Sequence, residues 1–264
     1  RFLPGVTTSG GTNWRAQIEA AVKLGVAEVA LFPTTLGPDE RSELYDVLGQ
    51  VRGDVSVVAV HLRDDMERWE YDVFQLLGAE VFNLHATPRA LEFIESQPEI
   101  AKTIFVENGY CLDEIYFQMA DLCGGVCIDV GHLESFGFRQ ENDNYEQLIK
   151  LLPRLRVGMT HIGAVCDEIH ETPTADGTGV EWAYEEHFVQ KFPEELEYLR
   201  RPEILAVIRR CRYNCVELND SIGRQLAFIR HIEQNIIGSV SCPDRRPAIQ
   251  RGFFYSSLLL FNIS

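Results

Sequence analysis

The sequence lacks the features of a membrane-spanning or nucleic-acid-binding protein. No apolar run approaches the roughly 18 residues that a membrane-spanning helix needs. Basic residues are scarce, since 24 Lys and Arg stand against 40 Asp and Glu, and the formal net charge is −16 with a pI of about 4.8. A surface of this charge repels polyanions, so neither nucleic acid nor an anionic membrane is an expected partner.

Cysteines are present, but their spacing matches neither a zinc-binding motif nor a disulfide framework. The seven cysteines are scattered, and their two C-x3-C spacings, at 123/127 and 211/215, do not match a tight zinc knuckle. Because an odd number cannot form a complete set of disulfides, we expect reduced and mostly buried thiols. No signal peptide is visible, and together these observations favour a cytoplasmic protein.

What the sequence does contain is a repeated alternation of a short apolar run, a polar turn and an amphipathic stretch. The stretch from Asn13 to Gly25 carries apolar residues at i, i+3, i+4 and i+7, which indicates a helix with one face on a sheet. Eight apolar runs predict strands, at residues 2–8, 28–32, 55–62, 80–85, 103–107, 125–130, 156–162 and 214–218. Strands that alternate with helices pair in parallel, and eight of them close a barrel.

The predicted fold is therefore α/β, a single (β/α)8 barrel over residues 1–238 with a C-terminal extension over residues 239–264. An open doubly wound sheet is the alternative, but "TSGGT" after the first strand lacks the G-x-G-x-x-G spacing. Residues 163–185, rich in Asp, Glu, Thr and Gly, are predicted to form a long loop. The extension ends in apolar residues, so we expect it to pack on the barrel, cover its base or mediate homo-oligomerisation.

The C-terminal ends of the predicted strands carry histidines and acidic residues. In a parallel barrel all these ends face one mouth, where catalytic groups gather. Three carboxylates and three imidazoles in an apolar cup would cost too much free energy without a cation. We therefore predict a metal site from six strand-ending residues: His61, His85, Glu107, Asp129, His161 and Glu217.

The last four of these residues come from consecutive strands and are the predicted metal ligands. Three oxygen donors and one nitrogen donor suit Mn²⁺, Mg²⁺, Co²⁺ or Zn²⁺. The number of ions stays open. The remaining histidines, His61, His85 and His132, either build a second, more zinc-like position or bind the substrate.

Five motifs, "FVEN", "CIDVGH", "MTHIG", "DGTGVEW" and "CVELN", together resemble the xylose-isomerase-like barrel superfamily over about residues 1–235. That superfamily holds sugar isomerases and epimerases and also apurinic-site endonucleases. The resemblance implies a ligand set of Glu107, Asp129, His161 and Glu217, and a substrate contact from His132. The chain departs from the family pattern at two places. The second strand ends in "VALFP", where many members have an acidic residue, and Asp167 lies near the position where many members have an arginine shortly after the seventh-strand histidine.

The predicted function is that of a metal-dependent isomerase or epimerase. Its substrate would be a small polyhydroxy carbonyl compound, a sugar or sugar phosphate, converted by proton transfer through an enediolate. Glu107 and Glu217 are the predicted catalytic acid and base. One alternative is a zinc-dependent phosphodiesterase or apurinic-site endonuclease, which the acidic segments "CDEIHE" and "EWAYEEH" disfavour. A second alternative is a non-catalytic binding protein on the same barrel.

Four further residues are candidate substrate contacts. Trp14 and Trp182 are suited to stack on a sugar ring, although Trp14 is equally suited to pack a helix on the sheet. Arg63 and Arg89, just past the third and fourth strands, are candidates to bind a phosphate or carboxylate. In "DGTG", the glycines at 177 and 179 are predicted to let the long loop turn closely over the mouth.

Overall fold

The computed structural model of the chain describes residues 1–109, 112–173 and 180–238. The predicted C-terminal extension, residues 239–264, and the predicted loop glycines at 177 and 179 lie outside these residues. Among the described residues, eight parallel strands close into a barrel, and a two-stranded sheet stands beside it. The predicted (β/α)8 barrel is thereby confirmed.

The barrel strands coincide with the eight predicted runs. They are β1 (Phe2–Thr7), β2 (Glu28–Phe32), β3 (Ser56–His61), β4 (Val81–His85), β5 (Ile104–Glu107), β6 (Val126–Asp129), β7 (Val157–Ile162) and β10 (Tyr213–Val216). The bounds differ from the predicted ones by one or two residues at most. Around the barrel the order is β1-β10-β7-β6-β5-β4-β3-β2, so the strands that carry the four predicted ligands are neighbours.

Helices connect these strands and pack on the outside of the barrel. They are α1 (Trp14–Lys23), α2 (Pro38–Gln50), α3 (Arg68–Leu76), α4 (Pro88–Ser96), α5 (Pro98–Ala101), α6 (Glu114–Leu122), α7 (Val130–His132), α8 (Asp143–Leu151), α9 (Pro202–Arg210) and α10 (Ile222–His231). A π-helical turn, Leu133–Arg139, continues α7, a 3-10 helix spans Glu194–Arg200, and a second π-helical turn, Ile232–Ile237, continues α10.

Local chemistry explains where several helices begin and end. The Asn13 side chain accepts a hydrogen bond from the backbone N–H of Ala16, and a proline lies in the first turn of α2, α4 and α9. Gly25 and Gly78 follow α1 and α3 with φ of 67° and 106°, a left-handed conformation in which glycine meets no steric penalty. These two helices therefore end in glycine C-caps.

The prediction of a long loop over residues 163–185 is wrong. This segment forms an antiparallel hairpin of β8 (Ala164–Pro173) and β9 (Val180–Glu186), inserted directly after β7. Along β9, Ala183 and Glu185 are buried, whereas Trp182 is exposed, which is the alternation of a half-buried strand. The polar composition concealed this period of two. Because the hairpin follows the C-terminal end of a barrel strand, it lies at the mouth.

A small apolar core fills the inside of the barrel. Its members are Leu3, Ala30, Phe32, Val58, Ala59, Val81, Phe105, Cys127, Met159, Cys211, Tyr213 and Cys215. Side chains two positions apart on a strand share a face. Each predicted ligand stands two residues after a member of this core, in the pairs Phe105/Glu107, Cys127/Asp129, Met159/His161 and Cys215/Glu217. The interior packing therefore directs all four side chains into the mouth.

The cysteines behave as the composition predicts. Among the described residues, Cys123, Cys127, Cys211 and Cys215 are buried free thiols, and Cys166 is a partly buried one. Three of the buried thiols belong to the barrel interior, where cysteine serves as a small apolar side chain. No helix in the described ranges is both long and apolar enough to cross a membrane.

Candidate metal centre

Four side chains from adjacent strands converge at the mouth of the barrel. They are Glu107, Asp129, His161 and Glu217, and one ligand atom from each lies within 4.8 Å of the other three. The side chains of Glu107, Asp129 and His161 are at most 2% exposed. The Glu217 side chain, from the residue after β10, retains 14% exposure. Glu217 is therefore the ligand most open to an incoming molecule.

The spacing of these atoms fits a single cation. His161 Nδ1 lies 3.0 Å from a Glu217 oxygen, 3.3 Å from a Glu107 oxygen and 4.0 Å from an Asp129 oxygen. Ligands about 2.1 Å from an octahedral cation stand about 3.0 Å apart when adjacent and about 4.2 Å apart when opposite. Despite this proximity, neither ring nitrogen of His161 has a hydrogen-bond partner of good geometry among the described residues. A buried imidazole without a partner is costly, and a shared cation would satisfy it.

The protonation tendencies of the three carboxyl groups differ because their neighbours differ. Burial alone would raise the pKa of Glu107, but the imidazoles of His161, His85 and His61 outweigh it and hold that pKa well below its usual value. Burial alone would raise the pKa of Glu217, but the adjacent His161 imidazole outweighs it and lowers that pKa to about 2. Burial and the nearby Glu185 carboxylate raise the pKa of Asp129 well above its usual value. A divalent cation would offset this excess of negative charge.

A second potential ligand set adjoins the first and shares Glu107. His61 Nε2 lies 3.1 Å from His85 Nε2 and 3.2 Å from a Glu107 oxygen. His61 Nδ1 faces the Leu62 carbonyl at 2.9 Å. Since a carbonyl only accepts, Nδ1 is the donor of this hydrogen bond, and Nε2 is the ring nitrogen that faces His85 and Glu107. Burial lowers the pKa of His85 to about 4.

A third potential set shares Asp129 and includes a residue that the sequence reasoning missed. Its members are Asp129, His132 and Glu185. His132 Nδ1 donates to the Asn108 carbonyl at 2.8 Å, and Nε2 lies 2.9 Å from a Glu185 oxygen. Burial opposes protonation of His132, but the carboxylates of Glu185 and Asp129 raise its pKa well above the usual value. One proton is thus held between His132 and Glu185.

Glu185 reaches this position from β9 through a gap left by two glycines. A Cβ on Gly131 would lie 2.4 Å from Glu185 Oε1, and a Cβ on Gly163 would lie 2.5 Å from the same atom. Glu185 is only 6% exposed, and its Oε1 has no hydrogen-bond partner in the part of the chain that the structure describes. In the sequence Glu185 looked like one more acid of a mouth loop. Only the period of two along β9 could have marked it as inward-facing.

Two asparagines, also missed, orient the ligands. The side chain of Asn108 accepts from the backbone N–H of Asp129 at 2.7 Å and donates to its carbonyl at 3.0 Å. Asn83 Nδ2 donates to Glu107 Oε2 at 2.5 Å. Asn83 precedes His85 by two residues and so shares its face of β4, a spacing visible in the sequence. Such hydrogen bonds fix a ligand's orientation before a cation binds.

None of the four candidate substrate contacts touches these ligand groups through a hydrogen bond or ion pair among the described residues. Trp14 is buried in the core under α1, which is the packing role weighed for it. Trp182 is 52% exposed on the hairpin. Arg63 donates to Asp65 at 2.8 Å and to the Thr34 carbonyl. Arg89 is exposed on α4.

Comparison with known proteins gives only distant structural likenesses. No protein-family model and no curated protein matches the sequence. One similar solved structure is the probable 3-DHS dehydratase AsbF, involved in petrobactin synthesis, from Bacillus anthracis; identity is 9%, the TM-score is 0.40, and the match covers 83% of this chain and 92% of that one. Another is a provisionally named lyase/mutase from Burkholderia cenocepacia J2315; identity is 11%, the TM-score is 0.34, and the match covers 92% of this chain and 87% of that one. Likenesses at this level carry no argument about function.

Proposed function

We propose that the protein is a divalent-metal-dependent isomerase or epimerase of a small polyhydroxy carbonyl compound, a sugar or sugar phosphate. One observation carries the proposal: Glu107 and Glu217 flank His161 Nδ1 at 3.3 and 3.0 Å within a mostly buried ligand set. Their strands, β5 and β10, are separated by β6 and β7. Two carboxylates can thus reach a bound substrate from different sides.

Each residue of the centre has a role that follows from its surroundings. A bound divalent cation would polarise the substrate carbonyl and acidify the adjacent C–H bond. Glu217 is ionised at neutral pH and partly open to the mouth, so it is suited to remove a proton from carbon. Glu107, held by Asn83, is suited to return a proton on the other side. His132, which shares a proton with Glu185, is suited to donate to a substrate oxygen.

Charge at the rim favours a small substrate over a polyanion. Asp167, Glu168 and Glu171 are exposed on β8 beside the mouth. Arg63, the basic side chain just past β3, is engaged by Asp65 and the Thr34 carbonyl. A nucleic acid would approach this rim against repulsion, because nucleic-acid-binding sites require a basic footprint.

The test is solvent-proton exchange. Protein stripped with a chelator and reloaded with Mn²⁺, Mg²⁺, Co²⁺ or Zn²⁺ is incubated in D₂O with a panel of aldoses, ketoses and their phosphates, and NMR follows deuterium entering at carbon. We expect exchange in wild type and in Glu114→Gln, a surface control on α6, but severe loss in Glu107→Gln and Glu217→Gln. Near wild-type exchange in both Gln variants would contradict the two-carboxylate mechanism. No exchange with any panel member would leave the non-catalytic binding protein as the better account.

A second candidate function, a zinc-dependent phosphodiesterase, is favoured by a specific observation. The three potential ligand sets are contiguous, because Glu107 belongs to the first two and Asp129 to the first and third. Clustered cations activate water and stabilise the leaving oxygen of a phosphoester. Elemental analysis and hydrolysis of bis(p-nitrophenyl) phosphate separate the two proposals. A single manganese-like ion without hydrolysis supports the isomerase, and three zinc ions with hydrolysis support the phosphodiesterase.

A further inference from the structure

The hairpin contains an irregularity that gathers three metal-binding side chains. On β8, Val165 pairs with Glu185 and His170 pairs with Ala183, so residues 166–169 stand opposite Tyr184 alone. These residues form a wide bulge between two regular ladders. Cys166 is the first residue of the bulge, His170 directly follows the bulge on β8, and Glu186 pairs with Ala164 across the hairpin.

The three side chains approach one another closely. Cys166 Sγ lies 3.6 Å from His170 Nδ1, and the other nitrogen of the same ring, Nε2, lies 3.9 Å from Glu186 Oε1, so an ion would bind one of these two nitrogens. One ligand atom from each lies within 4.8 Å of the other two. A zinc ion with bonds of about 2.3 Å to sulfur and about 2.05 Å to nitrogen at a tetrahedral angle holds those atoms about 3.5 Å apart. The observed sulfur–nitrogen distance matches that separation.

The surroundings of this trio are those of an accessible site. The His170 and Glu186 side chains are 33% and 29% exposed, so an ion can enter from solvent and a water can complete four-fold coordination. The backbone beneath is fixed, since Arg139 donates to the Cys166 carbonyl at 2.6 Å and Ser135 accepts from the Tyr184 N–H at 2.8 Å. The ligand atoms are therefore attached to anchored strands.

We propose that Cys166, His170 and Glu186 bind a zinc ion that cross-links β8 and β9 at the bulge of the hairpin. This site is separate from the candidate metal centre in the barrel mouth. Sulfur, nitrogen and carboxylate donors are a zinc-like combination. The zinc ion would join β8 to β9 at Glu186, next to Glu185, whose carboxylate reaches into the mouth. It would thereby keep the Glu185 carboxylate in position to contact His132, whichever reaction the mouth performs.

The test is protection of one thiol. Chelator-stripped full-length protein is treated with iodoacetamide with and without added Zn²⁺, and mass spectrometry follows alkylation of the Cys166 peptide. Metal-bound thiolate reacts slowly, so zinc should slow Cys166 alkylation roughly tenfold or more in wild type. His170→Ala should remove the protection. Glu168→Gln, a matched charge change within the bulge but outside the trio, should retain it.

Counting the zinc ions per chain is a second, independent test, and it distinguishes the hairpin site from the metal centre in the barrel mouth. Zinc per chain should fall by one ion in Cys166→Ser, and zinc protection of Cys166 should persist in Glu217→Gln, which alters only the mouth. Equal alkylation rates with and without zinc in wild type would overturn the proposal. So would protection that survives in His170→Ala, because the imidazole would then play no part.

Discussion

Individual residues in the mouth owe their chemistry to their immediate neighbours. Glu107 lies among three imidazoles and has a depressed pKa, whereas Asp129 faces Glu185 and has a raised one. Both are buried carboxyls on adjacent strands, so burial alone does not explain the difference. The site thus combines an ionised candidate ligand, Glu107, with a second one, Asp129, whose raised pKa favours its protonated form in the absence of a cation. Cation binding should therefore release a proton.

Removing a ligand should abolish tight metal binding without unfolding the barrel. Asp129→Asn or His161→Ala deletes one donor from a four-residue set, while the interior core below it is unchanged. Equilibrium dialysis with Mn²⁺ or Zn²⁺ and circular dichroism measure the two expectations. Asp121→Asn, at an exposed position near the end of α6, is the matched control. Unchanged affinity in both variants would remove Asp129 and His161 from the ligand set.

Because the Glu185 carboxylate occupies the space left by Gly131 and Gly163, we expect substitutions at Gly163 and Glu185 to be energetically coupled. Gly163→Ala should destabilise wild type by about 1–2 kcal/mol, because its methyl group would displace the Glu185 carboxylate. In a Glu185→Ala background the same change should cost much less, because the colliding atoms are gone. A double-mutant cycle from urea denaturation measures this coupling. Additive effects of the two substitutions would show that Glu185 does not occupy the gap in solution.

Among the secondary-structure elements, α2 and α3 are joined by a buried ion pair. Arg41 donates to Glu70 through Nε at 2.7 Å and through Nη2 at 2.9 Å, and Tyr45 donates to the same carboxylate at 2.5 Å. The Arg41 and Glu70 side chains are 1% and 3% exposed. Breaking a buried pair leaves an unpaired charge, so this contact fixes how the two helices pack.

Glu70→Gln should lower the free energy of unfolding by about 3 kcal/mol at pH 7. Although burial would raise the pKa of Glu70, hydrogen bonds from Arg41 and Tyr45 lower it below its usual value of 4.5. A depressed carboxyl pKa stabilises the fold above the unfolded-state pKa, and that stability is lost as pH falls through the folded-state pKa. The difference between wild type and Glu70→Gln should therefore shrink below about pH 4.5.

Urea denaturation at pH 7 and at successively lower pH measures that difference. Glu43→Gln is the control, because Glu43 pairs with Arg15 on the surface and its side chain is 60% exposed; its effect should stay within about 0.5 kcal/mol. A wild-type advantage over Glu70→Gln that is constant across the pH range would show that the ion pair is not its source.

For the barrel as a whole, the four candidate metal ligands would link four adjacent strands: β5, β6, β7 and β10. An ion that binds only the folded chain stabilises it by mass action, by about 2.7 kcal/mol at a hundred times the Kd. We expect the Tm of stripped protein to rise with added Mn²⁺ or Zn²⁺, and the rise to vanish in Asp129→Asn. Calorimetry at several metal concentrations measures this. A Tm independent of metal in wild type would contradict a folded-state site of useful affinity.

The sequence by itself determined the barrel and the grouping of the four candidate metal ligands. Strand-ending residues follow directly from apolar runs, and parallel closure brings all their C-terminal ends to one mouth. Glu107, Asp129, His161 and Glu217 could therefore be grouped without coordinates, and so could the pair of histidines on β3 and β4. This grouping depends only on local sequence, because each candidate ligand directly follows the apolar run that forms its own strand.

Only the tertiary structure decided the parts that depend on contacts between distant segments. Glu185 joins His132 through a hairpin whose polar sequence resembles a loop, and two glycines from other segments make room for it. The Cys166, His170 and Glu186 cluster arises from the pairing register of β8 and β9. Cross-strand register and steric gaps are properties of packed pairs rather than of a residue pattern along one chain, so the sequence pattern could not reveal them.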